Sequence, residues 1–179
     1  MLMRLGLAAA GLMTAASANA QSALESGFTG ALRGCEEWVL NPASWAEGVG
    51  PFISAVGLGD KMGLVDSIDA ISLPPPSLRV ANHYWRINST SDAGYVLVVS
   101  DQLPMCHVTG GGNSDLQPIV ESVLASENFR SHWDKVRDNP QGDMASTIYR
   151  NRTVPSFTMT ISRAKQPGER LDRVQLLIT

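Results

Sequence analysis

The chain has 179 residues, and its 14 lysines and arginines against 17 aspartates and glutamates give a formal net charge of −3. This length suffices for one domain with a hydrophobic core of its own. The negative balance argues against nucleic-acid binding, which depends on neutralising phosphates. Beyond the N-terminus no stretch reaches the ~20 apolar residues of a membrane span, so we expect no transmembrane segment in the mature chain.

The N-terminus has the composition of a secretory signal peptide. Arg4 precedes an apolar run over residues 5–13, and Ala18 and Ala20 form a small-residue cleavage pattern before Gln21. The alternative is an ordinary N-terminal core helix, but such helices rarely end in this pattern. We therefore predict that residues 1–20 are removed, that residues 21–179 form a single globular domain, and that the protein is periplasmic or secreted.

The two cysteines of the chain, Cys35 and Cys106, belong to that mature domain. Thiols exported to an oxidising compartment usually pair. The alternative is a pair of free thiols with a redox or metal-binding role, but no C-x-x-C spacing favours redox chemistry. We predict a structural disulfide between Cys35 and Cys106.

Helical periodicity dominates the first part of the mature chain. Apolar residues that include Phe28 and Cys35 recur at three- and four-residue steps over residues 22–40 and predict an amphipathic helix. Residues 43–56 predict a second helix, although its glycines and its proline weaken the pattern. We expect residues 61–73 to be irregular or briefly helical.

Strand patterns follow the prolines at positions 74–76. Residues 80–88 are rich in aromatic and branched side chains, and residues 95–99 are apolar on both faces, which is typical of a central strand. This second strand can continue to Val108 with a break or bulge at Pro104. The run Gly110-Gly-Gly-Asn113 predicts a loop.

Helical periodicity returns after this loop. Ser114 or Asp115 is placed to cap a helix whose apolar stripe covers residues 116–124. The next apolar residues, which include Phe129 and Trp133, are out of phase with that stripe. We therefore predict a break and a second short helix.

Three final strands are expected over residues 144–150, 157–161 and 173–179, with a turn at residues 166–168 between the last two. Short connections between strands favour antiparallel pairing. The predicted fold is α+β, with N-terminal helices packed on an antiparallel sheet of about five strands and a further helix inserted after the second strand. Positions 157, 159 and 161 should face the core, whereas positions 158, 160 and 162 should be largely exposed. We detect no internal sequence repeat.

This layout resembles small uncharacterised secreted or periplasmic proteins of Gram-negative bacteria. The resemblance rests on Phe28 and Cys35 in the first helix and on a valine-rich strand that ends in Cys106, followed by a helix and a C-terminal meander. It covers most of the mature chain and implies a periplasmic setting. It implies no activity, so no functional residue is carried over.

The glycine run and the histidines offer two places for chemistry. The loop at residues 110–114 could present backbone N–H groups to an anion, but it lacks the Lys-Ser/Thr of a phosphate loop and the third glycine of a dinucleotide site. His83, His107 and His132 lie far apart, with no spacing that would place two metal ligands on one face. We predict no metal site and no cofactor.

Catalytic patterns are equally sparse. No G-x-S-x-G nucleophile elbow occurs. The carboxylate pairs available for glycosidase chemistry are Glu36 with Glu37 and Asp66 with Asp69. We expect the first pair to point in opposite directions on its helix and the second to lie in a solvated loop. We therefore assign no catalytic residue.

Three residues are candidates for a binding surface: Tyr84, Arg130 and Trp133. Aromatic residues at such positions usually belong to the core, and basic residues near them usually form a solvated face. If they are exposed together, they could contact an acidic ligand or partner.

The function predicted from these patterns is a non-enzymatic periplasmic accessory or binding protein whose partner is an unidentified envelope protein or ligand. The alternative is a small periplasmic hydrolase whose site assembles only in the fold. A cleft that joins one of the histidines to a serine or a carboxylate would favour the hydrolase. A convex surface with an exposed aromatic or apolar patch would favour the binding protein.

Overall fold

The computed structural model describes residues 10–46, 48–140, 142–164 and 172–179, including the side chains of all but residues 10–17 and 44. The predictions for residues 1–9 and for the turn at residues 166–168 lie outside this part. The helices and strands are α1 (Ala10–Leu40), α2 (Val49–Val56), β1 (Met62–Val65), β2 (Asn82–Asn88), β3 (Ala93–Ser100), β4 (Cys106–Gly112), α3 (Gln117–Ala125), α4 (Glu127–His132), β5 (Trp133–Asp138), β6 (Met144–Asn151), β7 (Thr158–Ala164) and β8 (Val174–Ile178).

These strands form one antiparallel sheet of eight strands in the order β1-β2-β3-β4-β8-β7-β6-β5. The α+β class is confirmed, but the predicted sheet of about five strands was wrong, because β1, β4 and β5 were not recognised as separate strands. The further helix, α3, follows the fourth strand and not the second. Each of the three missed strands has a local pattern that conceals its pairing.

The second half of β4 was hidden by its glycines, whereas residues 106–108 were predicted as a continuation of the preceding strand. Gly110 pairs with Tyr95 of β3, and a Cβ at position 110 would lie 2.5 Å from Cδ1 of that ring. The Tyr95 hydroxyl donates to the Leu24 carbonyl at 3.1 Å and so ties the ring to α1. Glycine is therefore needed at position 110 because the aromatic ring lies across the strand, which is not visible in a sequence that reads as a flexible loop.

The β1 and β5 strands are the two edges of the sheet. The four residues of β1 are too few to show an alternating pattern. At β5 the predicted helix ends at His132, whose carbonyl accepts a hydrogen bond from the Arg152 N–H at 2.9 Å. This bond comes from a distant segment, and Trp133 then pairs with Asn151 of β6.

The element order occurs twice along the chain, although the sequence shows no repeat. Two α-helices and a four-stranded meander, α1 to β4, are followed by two more α-helices and a second meander, α3 to β8. The meanders join where β4 pairs antiparallel with β8. The arrangement places α1 and α3 together on one face of the sheet, where they contact each other.

The core lies between this helical layer and the sheet. On α1, Phe28, Cys35 and Trp38 are buried, as their spacing predicted. The predicted disulfide is confirmed, since Cys35 is bonded to Cys106 at the start of β4 with a Cα–Cα distance of 5.3 Å. The bond ties the first helix to the centre of the sheet.

The opposite face of the sheet is partly covered by the connection between β1 and β2. Its Ser72 is buried and hydrogen-bonds through its backbone to His107, which projects from β4 on this face. In β7, Met159 and Ile161 are fully buried in the core, and Phe157 packs against it. The alternating residues at 158, 160 and 162 are half-buried, so the prediction that they would be largely exposed was wrong.

Candidate functional site

A groove of about 440 Å³ separates α1 from α3 and α4. On α1 the side chains that line it recur every three or four residues, which places them on one side of the helix. The other wall comes from the C-terminal end of α3 and from α4. The lining residues are Glu25, Thr29, Leu32, Arg33, Glu36, Glu37, Val123, Ser126, Asn128, Phe129 and His132.

The groove brings a histidine together with a carboxylate. His132 Nδ1 lies 3.7 Å from Glu36 Oε2, and the other carboxylate oxygen, Oε1, accepts a hydrogen bond from the Trp133 indole N–H. The imidazole is half exposed, whereas one-fifth of the Glu36 side chain is exposed. An ionisable pair is thus placed with its carboxylate at the base and its imidazole at the opening.

Burial raises the pKa of the Glu36 carboxyl above its ordinary value of 4.5. The hydrogen bond from Trp133 and the nearby His132 oppose this shift but do not cancel it. Removal of a carboxylate from water disfavours its charged form, which is the physical cause of the direction. Glu36 can therefore exchange a proton closer to neutral pH than a solvated glutamate.

The neighbouring Glu37 corrects one expectation from the sequence. We expected Glu36 and Glu37 to point in opposite directions, but both line the groove. Glu37 Oε2 accepts a hydrogen bond from Asn41 Nδ2 at 3.2 Å, so it contacts the end of α1. The negative charge of Glu37 adds to the burial that raises the pKa of the Glu36 carboxyl, so the two groups interact electrostatically.

The hydroxyl of Ser126, the serine that lines the groove, is hydrogen-bonded to the backbone at the start of α4. Ser126 caps α4, since its Oγ accepts from the Phe129 N–H at 3.1 Å and donates to the Val123 carbonyl at 2.7 Å. A nucleophilic serine needs a base that accepts its proton. Ser126 gives that proton to a backbone carbonyl, so it does not complete a serine–histidine–glutamate triad.

The other two histidines lie elsewhere. His83 Nε2 is 2.7 Å from Asp101 Oδ2, in a half-exposed pair at the start of β2 and the end of β3. His107 is buried on the far face of the sheet, where burial lowers its pKa from 6.5 to about 4. Each of the three histidines thus has a different environment, and only His132 faces the groove.

The predicted binding residues do not form a common surface. Trp133 is 2% exposed, so its ring belongs to the core and only its N–H reaches Glu36. Arg130 is exposed on α4. Tyr84 is half-buried in β2, and five strands separate β2 from β5 in the sheet order.

The Glu36–His132 pair was missed because its members are far apart in sequence. Each occurs in a helix with other polar residues, and no local motif distinguishes them. The only usable signal was that position 36 comes four residues after the buried Leu32, so Glu36 lies on the same side of the helix and borders the apolar stripe.

Within the described residues, no cluster of three or more histidine, cysteine, aspartate or glutamate side chains could hold a metal ion. In the same part of the chain, no helix combines the length and the apolar character that crossing a membrane requires. Comparison with known proteins gives no assignment either: no protein-family model, curated protein or solved structure matches this chain.

Proposed function

We propose that this chain is an exported accessory protein that binds an envelope component in the groove between α1 and the α3–α4 pair. Residues 1–20 act as its secretory leader, and the mature domain works in the periplasm or outside the cell. The Cys35–Cys106 disulfide supports an oxidising compartment. The groove, whose volume is in the range of ligand sites in proteins, is the observation that carries the binding function.

The lining of the groove supports binding in preference to catalysis. Leu32 and Phe129 are buried at its base, and polar side chains such as Thr29 and Asn128 surround them. Three of the eleven lining residues are apolar and eight are polar or charged, which suits a polar ligand held by hydrogen bonds and ion pairs. The hydroxyl of Ser126 is held by the α4 cap, which removes the obvious nucleophile.

The Glu36–His132 pair favours a second candidate, the small hydrolase. The cleft meets the criterion set out from the sequence, because it joins a histidine to a carboxylate. In such an enzyme His132 would act as the base toward a bound water, and Glu36 would stabilise the imidazolium that forms. The Trp133 hydrogen bond would hold the carboxylate in position.

A groove-blocking variant tests the binding function. Thr29 lies half-buried on the groove wall, so Thr29→Trp should fill the groove without displacing a core side chain. Ser26→Trp, one turn away and outside the lining, is the matched control because Ser26 is exposed. Envelope components captured by the immobilised wild type should be lost with Thr29→Trp and retained with Ser26→Trp. Equal capture by all three proteins would contradict binding in the groove.

Conservative changes in the ionisable pair separate the two candidates. Glu36→Gln keeps an acceptor for the Trp133 indole but removes the charge, and His132→Gln removes the base. A hydrolase would lose turnover of p-nitrophenyl ester probes in both variants while remaining folded by circular dichroism. The binding protein predicts no turnover above background in the wild type, and capture by both variants should continue.

A further inference from the structure

We infer that Gln21 is a modification site: once the leader is removed, its side chain closes on the new α-amine to form pyroglutamate. The inference rests on the proposed export, which creates the N-terminus at Gln21. It concerns a covalent change in the mature protein, and it adds to the function proposed for the groove.

Around the proposed cleavage position, residues 18–23 of α1 contain no buried side chain. The helix runs from Ala10 to Leu40, and Asn19 and Gln21 are exposed. Leu24 is the first side chain of α1 described as buried. Removal of residues 1–20 therefore keeps every α1 side chain that the structure describes as buried, with Gln21 as the exposed first residue.

The chemistry needs only groups that Gln21 itself supplies. The lone pair of the α-amine attacks the side-chain carbonyl carbon Cδ and forms the N–Cδ bond. The Cδ–Nε2 bond then breaks, and the former side-chain nitrogen leaves as ammonia after taking a proton from the attacking amine. No atom is oxidised or reduced. An α-amine has an ordinary pKa of roughly 7.7–8.0, so part of it is unprotonated near neutral pH.

The helical setting favours the closed product. The positive end of the helix dipole disfavours an α-ammonium group, and lactam formation removes that charge. The new five-membered ring contains N and Cα of Gln21 and keeps one N–H on that nitrogen. The N–H groups of the first helical turn have no helical partner in any case. The ring is therefore compatible with α1 from Ser22 onward.

The intact mass of exported protein tests the inference. The full chain is expressed in a Gram-negative host and recovered from the periplasmic fraction. Its disulfide is reduced and its intact mass is measured by mass spectrometry. The N-terminal peptide is then sequenced by the same method. We expect the mass of residues 21–179 less one ammonia, with the loss located on Gln21. Gln21→Asn is the matched control, because the shorter side chain cannot form a five-membered lactam with its own amine. That variant should keep a free amine.

The outcomes of this measurement separate the two proposals. A chain that begins at Gln21 and still carries a free amine after prolonged incubation at neutral pH would overturn the modification and leave export standing. A chain that retains residues 1–20, or that begins at another residue, would overturn the proposed cleavage as well. Treatment of the expected product with pyroglutamyl aminopeptidase should expose Ser22 as the new N-terminus.

Discussion

Protonation of His107 should destabilise this fold in mild acid. The side chain is 4% exposed and projects from β4 between Val98 of β3 and Leu177 of β8. Its imidazole has one partner, the backbone of Ser72, and within the described residues Nδ1 has none. A proton added at Nδ1 would therefore create a buried charge among apolar neighbours, with no acceptor to stabilise it.

The pKa of His107 sets both the direction and the size of the effect. Burial lowers it from 6.5 to about 4, and the hydrogen bond to Ser72 opposes the shift only in part. The unfolded chain thus binds this proton at a higher pH than the folded chain does. The stability that the neutral His107 contributes is fully present above pH 6.5 and is lost as the pH falls toward 4. At about 1.4 kcal/mol per pKa unit, the loss reaches roughly 2.5 kcal/mol near pH ~4.5.

Urea denaturation across this pH range, on wild type and on His107→Gln, measures the effect. The glutamine cannot titrate, and its amide can still hydrogen-bond to the Ser72 backbone. Other titrating groups, including Glu36 with its raised pKa, are present in both proteins. Their effects therefore cancel when the unfolding free energy of the variant is subtracted from that of the wild type at each pH. The free energy of unfolding should fall more steeply for wild type than for the variant. Parallel pH profiles for the two proteins would refute the argument.

Three further predictions concern the core. Reduction of the disulfide, which spans 71 residues of sequence, should lower stability by about 4 kcal/mol and the melting temperature by on the order of ten degrees; an unchanged thermal transition would contradict this. Gly110→Ala should cost roughly 1–3 kcal/mol in chemical denaturation because the new Cβ meets the Tyr95 ring, whereas Gly50→Ala in α2, with open space around it, should be neutral or stabilising. An equal effect of the two alanines would show that the ring can move away. Met159→Asp should unfold the domain by circular dichroism, whereas Thr160→Asp, on the half-buried face, should cost on the order of 1 kcal/mol. Equal damage from both aspartates would mean that the two faces of β7 are equally covered.

The sequence by itself determined the features that depend on local periodicity. The stripe that buries Phe28 and Cys35 follows from the helical repeat, and the burial of Met159 and Ile161 follows from alternation along a strand. The disulfide could also be predicted, since the chain has two cysteines and they allow only one pairing. These conclusions needed only the spacing of side chains along one element and the number of cysteines.

Tertiary structure decided the features that depend on partners distant in sequence. Gly110 belongs to a strand because Tyr95 covers it, and Trp133 starts a strand because Asn151 pairs with it. The Glu36–His132 pair exists because α1 and α4 border one groove. A local pattern records the intrinsic preference of a segment, but strand pairing and helix packing can override that preference through hydrogen bonds and burial. For that reason the sequence predicted the class of fold and its disulfide, whereas the extent of the sheet and the candidate site emerged only in three dimensions.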